Sequence, residues 1–159
     1  KLILASVGKL KSGPERALYD HYAGRVGGIG KSVALGPLSE IAVSESRKAG
    51  AAERKAEEAR DLIARIPQQA VIIAVDEKGK ALTSEAFARL LGELRDEGAS
   101  AVALVLGGPD GHGDELRKKA ARTLSLGAIT LPHGLAKVVV AEQLYRAATI
   151  LAGHPYHRS

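Results

Sequence analysis

The stretch A-V-A-L-V-L-G-G-P-D-G-H-G, Ala101–Gly113, decides the fold class. An apolar run without alternation breaks into paired glycines and a Pro-Asp-Gly turn. Such a run suits a strand covered on both faces, as in a parallel sheet, whereas a strand with one wet face alternates. Leu2–Val7, Ile41–Val43 and Val71–Val75 read the same way. Helical patterns lie between these runs. Ala49–Ile66 places Ala52, Ala56, Ala59, Ile63 and Ile66 on one stripe, with charged residues on its other faces. Thr83 or Ser84 can cap a helix running to Glu97, while Pro14–Tyr22 and Asp114–Ala121 give shorter ones. Gly24–Gly36 reads as the most flexible loop. Strand and helix alternate, so the expected class is α/β, a mainly parallel sheet flanked by helices.

At 159 residues the chain fits one domain, 1–159, with a real core. It has no cysteine, which excludes a disulfide framework and cysteine-based metal sites. Neither a signal-peptide pattern nor a run of roughly 20 apolar residues is present, so a soluble cytoplasmic protein is expected. The net charge of +5 favours a polyanionic partner, although basic surfaces also occur without one. Aromatics make up only 3%, which argues against a stacking platform for single strands. If RNA is the partner, phosphate contacts carry the recognition, and Lys9, Lys11, Arg25 and Lys31 are the candidates.

The chain closes on an unusual helix. Leu135–Leu151 is apolar around more than one stripe and needs cover on most sides. A second subunit is the expected cover; the alternative is a central helix within the monomer. Gly153 and Pro155 stop the helix and release a tail of His154, Tyr156, His157 and Arg158.

G-R-V-G-G-I-G-K-S, Gly24–Ser32, imitates a phosphate-binding P-loop, but Arg25 stands where that motif needs glycine. Nucleotide triphosphate binding is therefore not expected. Leu106–Gly113, Val75–Gly79 and Ser125–His133 follow strands or punctuated loops, and three such ends converging would form a cofactor pocket. Each alone reads equally well as a turn. His154-x-x-His157 is at most half a metal site, with no accompanying ligands, so no metal is expected. Glu142 and Arg146 are spaced for a helical ion pair, one or both of which can face a site.

Together G-G-P-D-G, S-L-G-A-I-T-L-P-H, A-E-Q-L-Y-R-A and the terminal H-P-Y-H-R closely resemble the ribosomal RNA large subunit methyltransferase H family of the SPOUT superfamily. V-G-K-L-K (Val7–Lys11) and V-D-E-K-G (Val75–Gly79) extend the likeness over essentially the whole chain. The resemblance implies a SPOUT-type fold with a carboxyl-terminal trefoil knot, a rare exception to unknotted topology. It implies a homodimer and S-adenosylmethionine held by Val75, Asp76, Gly107, Gly108 and the loop Leu126, Gly127, Ala128, Ile129, Thr130, Leu131 and Pro132. The implied reaction is N3-methylation of a pseudouridine in helix 69 of 23S rRNA on the assembled ribosome. One position departs: the family usually has arginine after L-P-H-x-L-x, and this chain has Lys137, which cannot make a two-pronged contact.

Methyl transfer to an imide nitrogen needs alignment and a route for one proton. His154 or His157 can take that proton, Arg158 can stabilise developing negative charge, and Tyr156 can stack on or orient the base. Two rival readings are a non-catalytic ribosome-binding or assembly factor, and the same chemistry on another RNA such as a tRNA.

Overall fold

A computed structural model describes residues 1–158. Five strands, β1 (Leu2–Val7), β2 (Leu38–Val43), β3 (Val71–Ala81), β4 (Val102–Leu106) and β5 (Ala120–Ser125), form one sheet in the order β2-β1-β4-β3-β5. Every strand pair is parallel. Helices α1 (Pro14–Ile29), α3 (Ser84–Asp96) and α5 (His133–Ala152) cover one face, and α2 (Ala51–Arg65) and α4 (Asp114–Lys119) the other. The unbroken apolar strands follow from this layering. In β1, Leu2 and Leu4 enter the core under α1, α3 and α5, while Ile3, Ala5 and Val7 enter the core under α2 and α4. Thr83 caps α3, its hydroxyl oxygen accepting the Ala86 amide at 3.0 Å. Among the described residues no helix is long and apolar enough to cross a membrane.

Three expectations change. Gly24–Gly36 is not a flexible loop: α1 continues through Gly24, Gly27 and Gly28 to Ile29, and a 3-10 turn follows over Gly30–Val33. Tyr19, Tyr22, Ala23, Val26 and Ile29 recur on one side and pack into the core, so tertiary burial outweighs glycine's poor helix propensity. Asp114–Ala121 is shorter as a helix, because Ala120–Ser125 forms β5 at the sheet edge. Its polar residues suit an edge but give no apolar run to read.

The third change concerns α5. Val138, Val140, Ala141, Leu144, Tyr145, Ala147 and Ala148 are buried within the single chain, against the sheet, α1 and α3. Most of the cover assigned to a second subunit is thus internal. What stays partly exposed is the stripe Leu135, Val139, Glu142, Arg146 and Ile150, at spacings that keep one helical face.

β3 bends around the end of β5, since Val75 and Lys80 are both paired with Leu124. The bend brings Gly79 so close that a Cβ there would lie 2.6 Å from the Leu124 carbonyl carbon. Gly79→Ala should therefore destabilise the protein by roughly 1–3 kcal/mol, the usual cost of overpacking. Denaturant unfolding measures this, and an unchanged midpoint would contradict the close wrap.

Candidate active site

A cleft of about 290 Å³ opens between the carboxyl-terminal parts of β3 and β5 and the helices α3 and α5. Val75, Phe87, Leu104, Leu124 and Val140 make its apolar walls; Thr83, Ser84, Ser125 and Gln143 supply polar groups. None of the lining residues is charged. The Ser84 hydroxyl donates to Gln143 Oε1 at 2.7 Å, joining α3 to α5 across the cleft. Gly127 has φ 113°, a conformation that favours glycine, so the loop turns there beside Ser125.

The residues expected to hold a cofactor divide. Val75, Leu126 and Gly127 line the cleft. Asp76 does not; it pairs with Arg117 at 2.8 Å and accepts the Lys78 amide. Gly107 and Gly108 belong instead to a tight turn closed by a Gly108–Gly111 bridge. A Cβ on Gly108 would lie 3.0 Å from Val7 Cγ1 and 3.1 Å from Glu58 Oε1, so that turn presses on α2. Arg54 on α2 grips Asp110 through two nitrogens, at 2.8 and 3.2 Å. Ala128, Ile129, Thr130, Leu131 and Pro132 lie outside the lining, and Ile129 is 80% exposed.

His112 joins the turn to the cleft. Its Nε2 lies 2.9 Å from the Val75 carbonyl, which only accepts, so Nε2 carries the proton. Burial holds its pKa below the ordinary histidine value. His133 shifts the same way, through burial and the nearby Lys137 ammonium.

Beyond α5, Gly153 adopts the left-handed conformation at φ 70° and turns the tail back. The Tyr156 hydroxyl donates to Glu142 Oε2 at 2.9 Å, and its ring meets Tyr145 edge-on at 4.7 Å. Burial, and then the bond to Glu142, raise the phenol pKa, so Tyr156 is a neutral donor. Arg146 holds Glu142 through two nitrogens and lies 4.8 Å over the Tyr156 ring. Arg146 also donates to His157 Nδ1 at 3.2 Å. Because arginine only donates, that nitrogen is unprotonated, and Nε2–H donates to Glu85 at 2.6 Å. His154 Nδ1 accepts the Tyr156 amide at 3.1 Å, and Arg158 is exposed. The two rings of the His-x-x-His segment are thus engaged separately. Among the described residues no group of three or more His, Cys, Asp or Glu is placed to hold a metal ion.

Cleft and tail meet at adjacent residues. Gln143 faces the cleft, Glu142 faces the tail, and Gln143 Nε2 donates to Glu142 Oε1 at 2.8 Å. A hydrogen-bonded chain therefore runs Ser84–Gln143–Glu142–Tyr156. The sequence reading flagged Glu142 and Arg146 but missed Ser84 and Gln143 as cleft residues, and missed Glu85. Gln143 carried a signal, an uncharged polar side chain interrupting an apolar helix. Glu85 carried none.

The four candidate phosphate contacts are exposed. Arg25 lies 5.1 Å over the Tyr145 ring, on the aromatic group that holds Tyr156. Lys9 and Lys11 precede α1, roughly 15–20 Å away by the rise of that helix.

Acid stability tests the His112 assignment. Below about pH 6.5 the unfolded chain binds a proton that the buried ring resists, so stability falls from there toward the lower folded value. His112→Gln keeps an N–H donor and removes this titration. Its denaturation midpoint should decline less steeply between pH 7 and 5, and an equally steep decline would contradict a buried neutral ring.

Comparison with known proteins agrees with this architecture. Residues 1–157 match the family model described as "Predicted SPOUT methyltransferase". The chain is 46% identical over 158 residues to the ribosomal RNA large subunit methyltransferase H of Nitrobacter winogradskyi, covering 99% of each. It is 48% identical over 159 residues to the protein so named in Bradyrhizobium diazoefficiens, covering 100% of this chain and 99% of that one. A solved structure described as a probable methylase family protein, from Haemophilus influenzae, shares the fold at a TM-score of 0.53 and 13% identity. That likeness covers 99% of this chain and 70% of the other. By the extent of the family match and the full-length relatives, the chain belongs to the SPOUT methyltransferases.

Proposed function

We propose that this methyltransferase uses S-adenosylmethionine to methylate N3 of a pseudouridine in helix 69 of 23S rRNA, on the assembled ribosome in the cytoplasm. The observation that carries the reading is the contact between cleft and tail through neighbouring residues of α5, Gln143 and Glu142. The names of the full-length relatives support a large-subunit RNA substrate.

The cleft fits the donor's chemistry. Apolar walls of Val75, Phe87, Leu104, Leu124 and Val140 suit a flat heterocycle, and Ser84, Ser125, Gln143 and the Leu126–Gly127 backbone offer hydrogen bonds at the open side. Asp76, Gly107, Gly108 and Ala128–Pro132, which the family resemblance also implicates, would act by shaping the surrounding loops. When bound, S-adenosylmethionine supplies an electrophilic methyl group, so the protein's task is alignment, exclusion of water and removal of one proton.

In the tail, His154 or His157 takes that proton, Arg158 stabilises the developing negative charge, and Tyr156 stacks on or orients the base. In the docked tail His157 has both nitrogens engaged, by Arg146 and Glu85, and cannot accept a proton there. His157 works only after exchanging those partners. Arg158 is exposed and able to meet negative charge on the imide as it develops. Lys9, Lys11, Arg25 and Lys31 contact rRNA phosphates.

The working unit is a homodimer. Leu126 and Leu135 are 38% and 42% exposed, Ile129 more so, and Leu135 heads the partly exposed stripe of α5. A partner covering that stripe would meet Glu142, Arg146 and the tail, so the tail completes the neighbour's site. The wrap of β3 around β5 belongs to a trefoil knot on this reading.

Calorimetry should detect S-adenosylmethionine binding by the unaltered protein, and silence would favour a non-catalytic ribosome-binding factor. Gln143→Ala should weaken that binding several-fold, as loss of a hydrogen bond does. Subunits lacking residues 154–159 should regain activity when mixed with full-length subunits carrying Gln143→Ala and Ser84→Ala. Activity no higher than the separate proteins supply would overturn the shared site.

A further inference from the structure

We propose that Lys137, Glu40 and Arg16 form a clamp that presents Lys9 and Lys11 as a preorganised contact for RNA phosphates. The inference rests on the RNA reading above and assigns positioning roles to three residues outside the cleft and tail.

Lys137 lies on α5 yet is completely buried. Its ammonium donates to the Gly8 carbonyl at 3.0 Å and to Glu40 Oε2 at 3.4 Å. Arg16, from the start of α1, grips Glu40 through two nitrogens at 2.9 and 3.1 Å. Arg16 also donates to the Leu10 carbonyl from Nε and Nη2, at 3.1 and 2.8 Å. Two cations thus converge on one carboxylate while each holds a carbonyl of the loop after β1. Asp20 adds a third acidic contact to Arg16, at 3.2 Å.

The loop gives the cluster its purpose. Gly8 has φ 91°, and its amide donates to Val43 at 2.8 Å. Leu10 is 9% exposed and plugs the core, so Lys9 and Lys11 on either side point outward. Burying a lysine is costly where an apolar residue would fill the same space. Here the arrangement fixes the backbone on both sides of Lys9. Held lysines surrender less conformational freedom when they meet a phosphate. The geometry also explains the departure at position 137: Arg16 already makes the two-pronged contact with Glu40, and the Gly8 carbonyl, which also accepts from the Ser6 hydroxyl at 3.2 Å, takes only one bond from Lys137.

The test measures binding to ribosomal particles against salt, with methyl transfer measured in parallel. Lys9→Ala with Lys11→Ala should lower the slope of log affinity on log salt by roughly 0.7–0.9 per lost contact. Lys137→Met should weaken ribosome binding on the order of tenfold, raising KM with kcat and S-adenosylmethionine affinity unchanged. Lys137→Arg, which keeps a donor, should restore most of the loss. In the Lys9/Lys11 double variant, Lys137→Met should have no further effect, because it acts through those side chains. Additive losses would overturn the clamp, as would a salt slope indifferent to Lys9 and Lys11. Full ribosome binding without methyl transfer by the unaltered protein would count against the functional reading, and the slopes would still judge the clamp.

Discussion

Burial of α5 is the constraint on which the rest depends. Its side chains fill the space between the sheet, α1 and α3, and Leu144, Ala141 and Ala148 are completely inaccessible. Each large apolar side chain so buried contributes roughly 1.5–3 kcal/mol. The tail rests on less: one half-buried ring, Tyr156 against Tyr145, its bond to Glu142, and a partly exposed pair of the kind that contributes about 0–1 kcal/mol. Glu85, the partner of His157, is 44% exposed. The helix is therefore the strut to which the tail is fastened.

That difference makes sense of the site. Methyl transfer gains most from geometry, and geometry needs a rigid frame. α5 gives one wall of the cleft through Val139, Val140 and Gln143, then anchors the tail through Glu142 and Arg146. On the other face of the sheet, the Gly107–Gly113 turn is tied to α2 by Arg54 and to Val75 by His112. The cleft is thus braced from behind, while its open side is lined by the groups that can respond to a ligand.

The sequence revealed what burial on two faces dictates. Continuous apolar runs at Leu2–Val7, Val71–Val75 and Ala101–Leu106 mark the central strands, and Thr83 marks the start of α3. β5 was not legible, because an edge strand such as A-A-R-T-L-S need not be apolar. The helical state of Gly24–Ile29 was hidden by its glycines, although Tyr19, Tyr22, Val26 and Ile29 carried the spacing. The tail's ring nitrogens, phenol and guanidinium were visible in its residue types. Its partners were not, because Glu85 lies 72 residues from His157 and no local pattern encodes such a contact. Lys137 departs from the family's usual arginine, and its partners Gly8 and Glu40 are likewise remote in sequence.

The central claim joins a donor cleft, a chemically active tail and one ribosomal pseudouridine. Mass spectrometry of helix 69 from ribosomes of a strain lacking this gene tests it most directly, with the gene returned intact or as Arg158→Ala. The account predicts an unmethylated pseudouridine in the deletion strain, full methylation with the intact gene, and little or none with Arg158→Ala. A helix 69 fully methylated without the gene would contradict it.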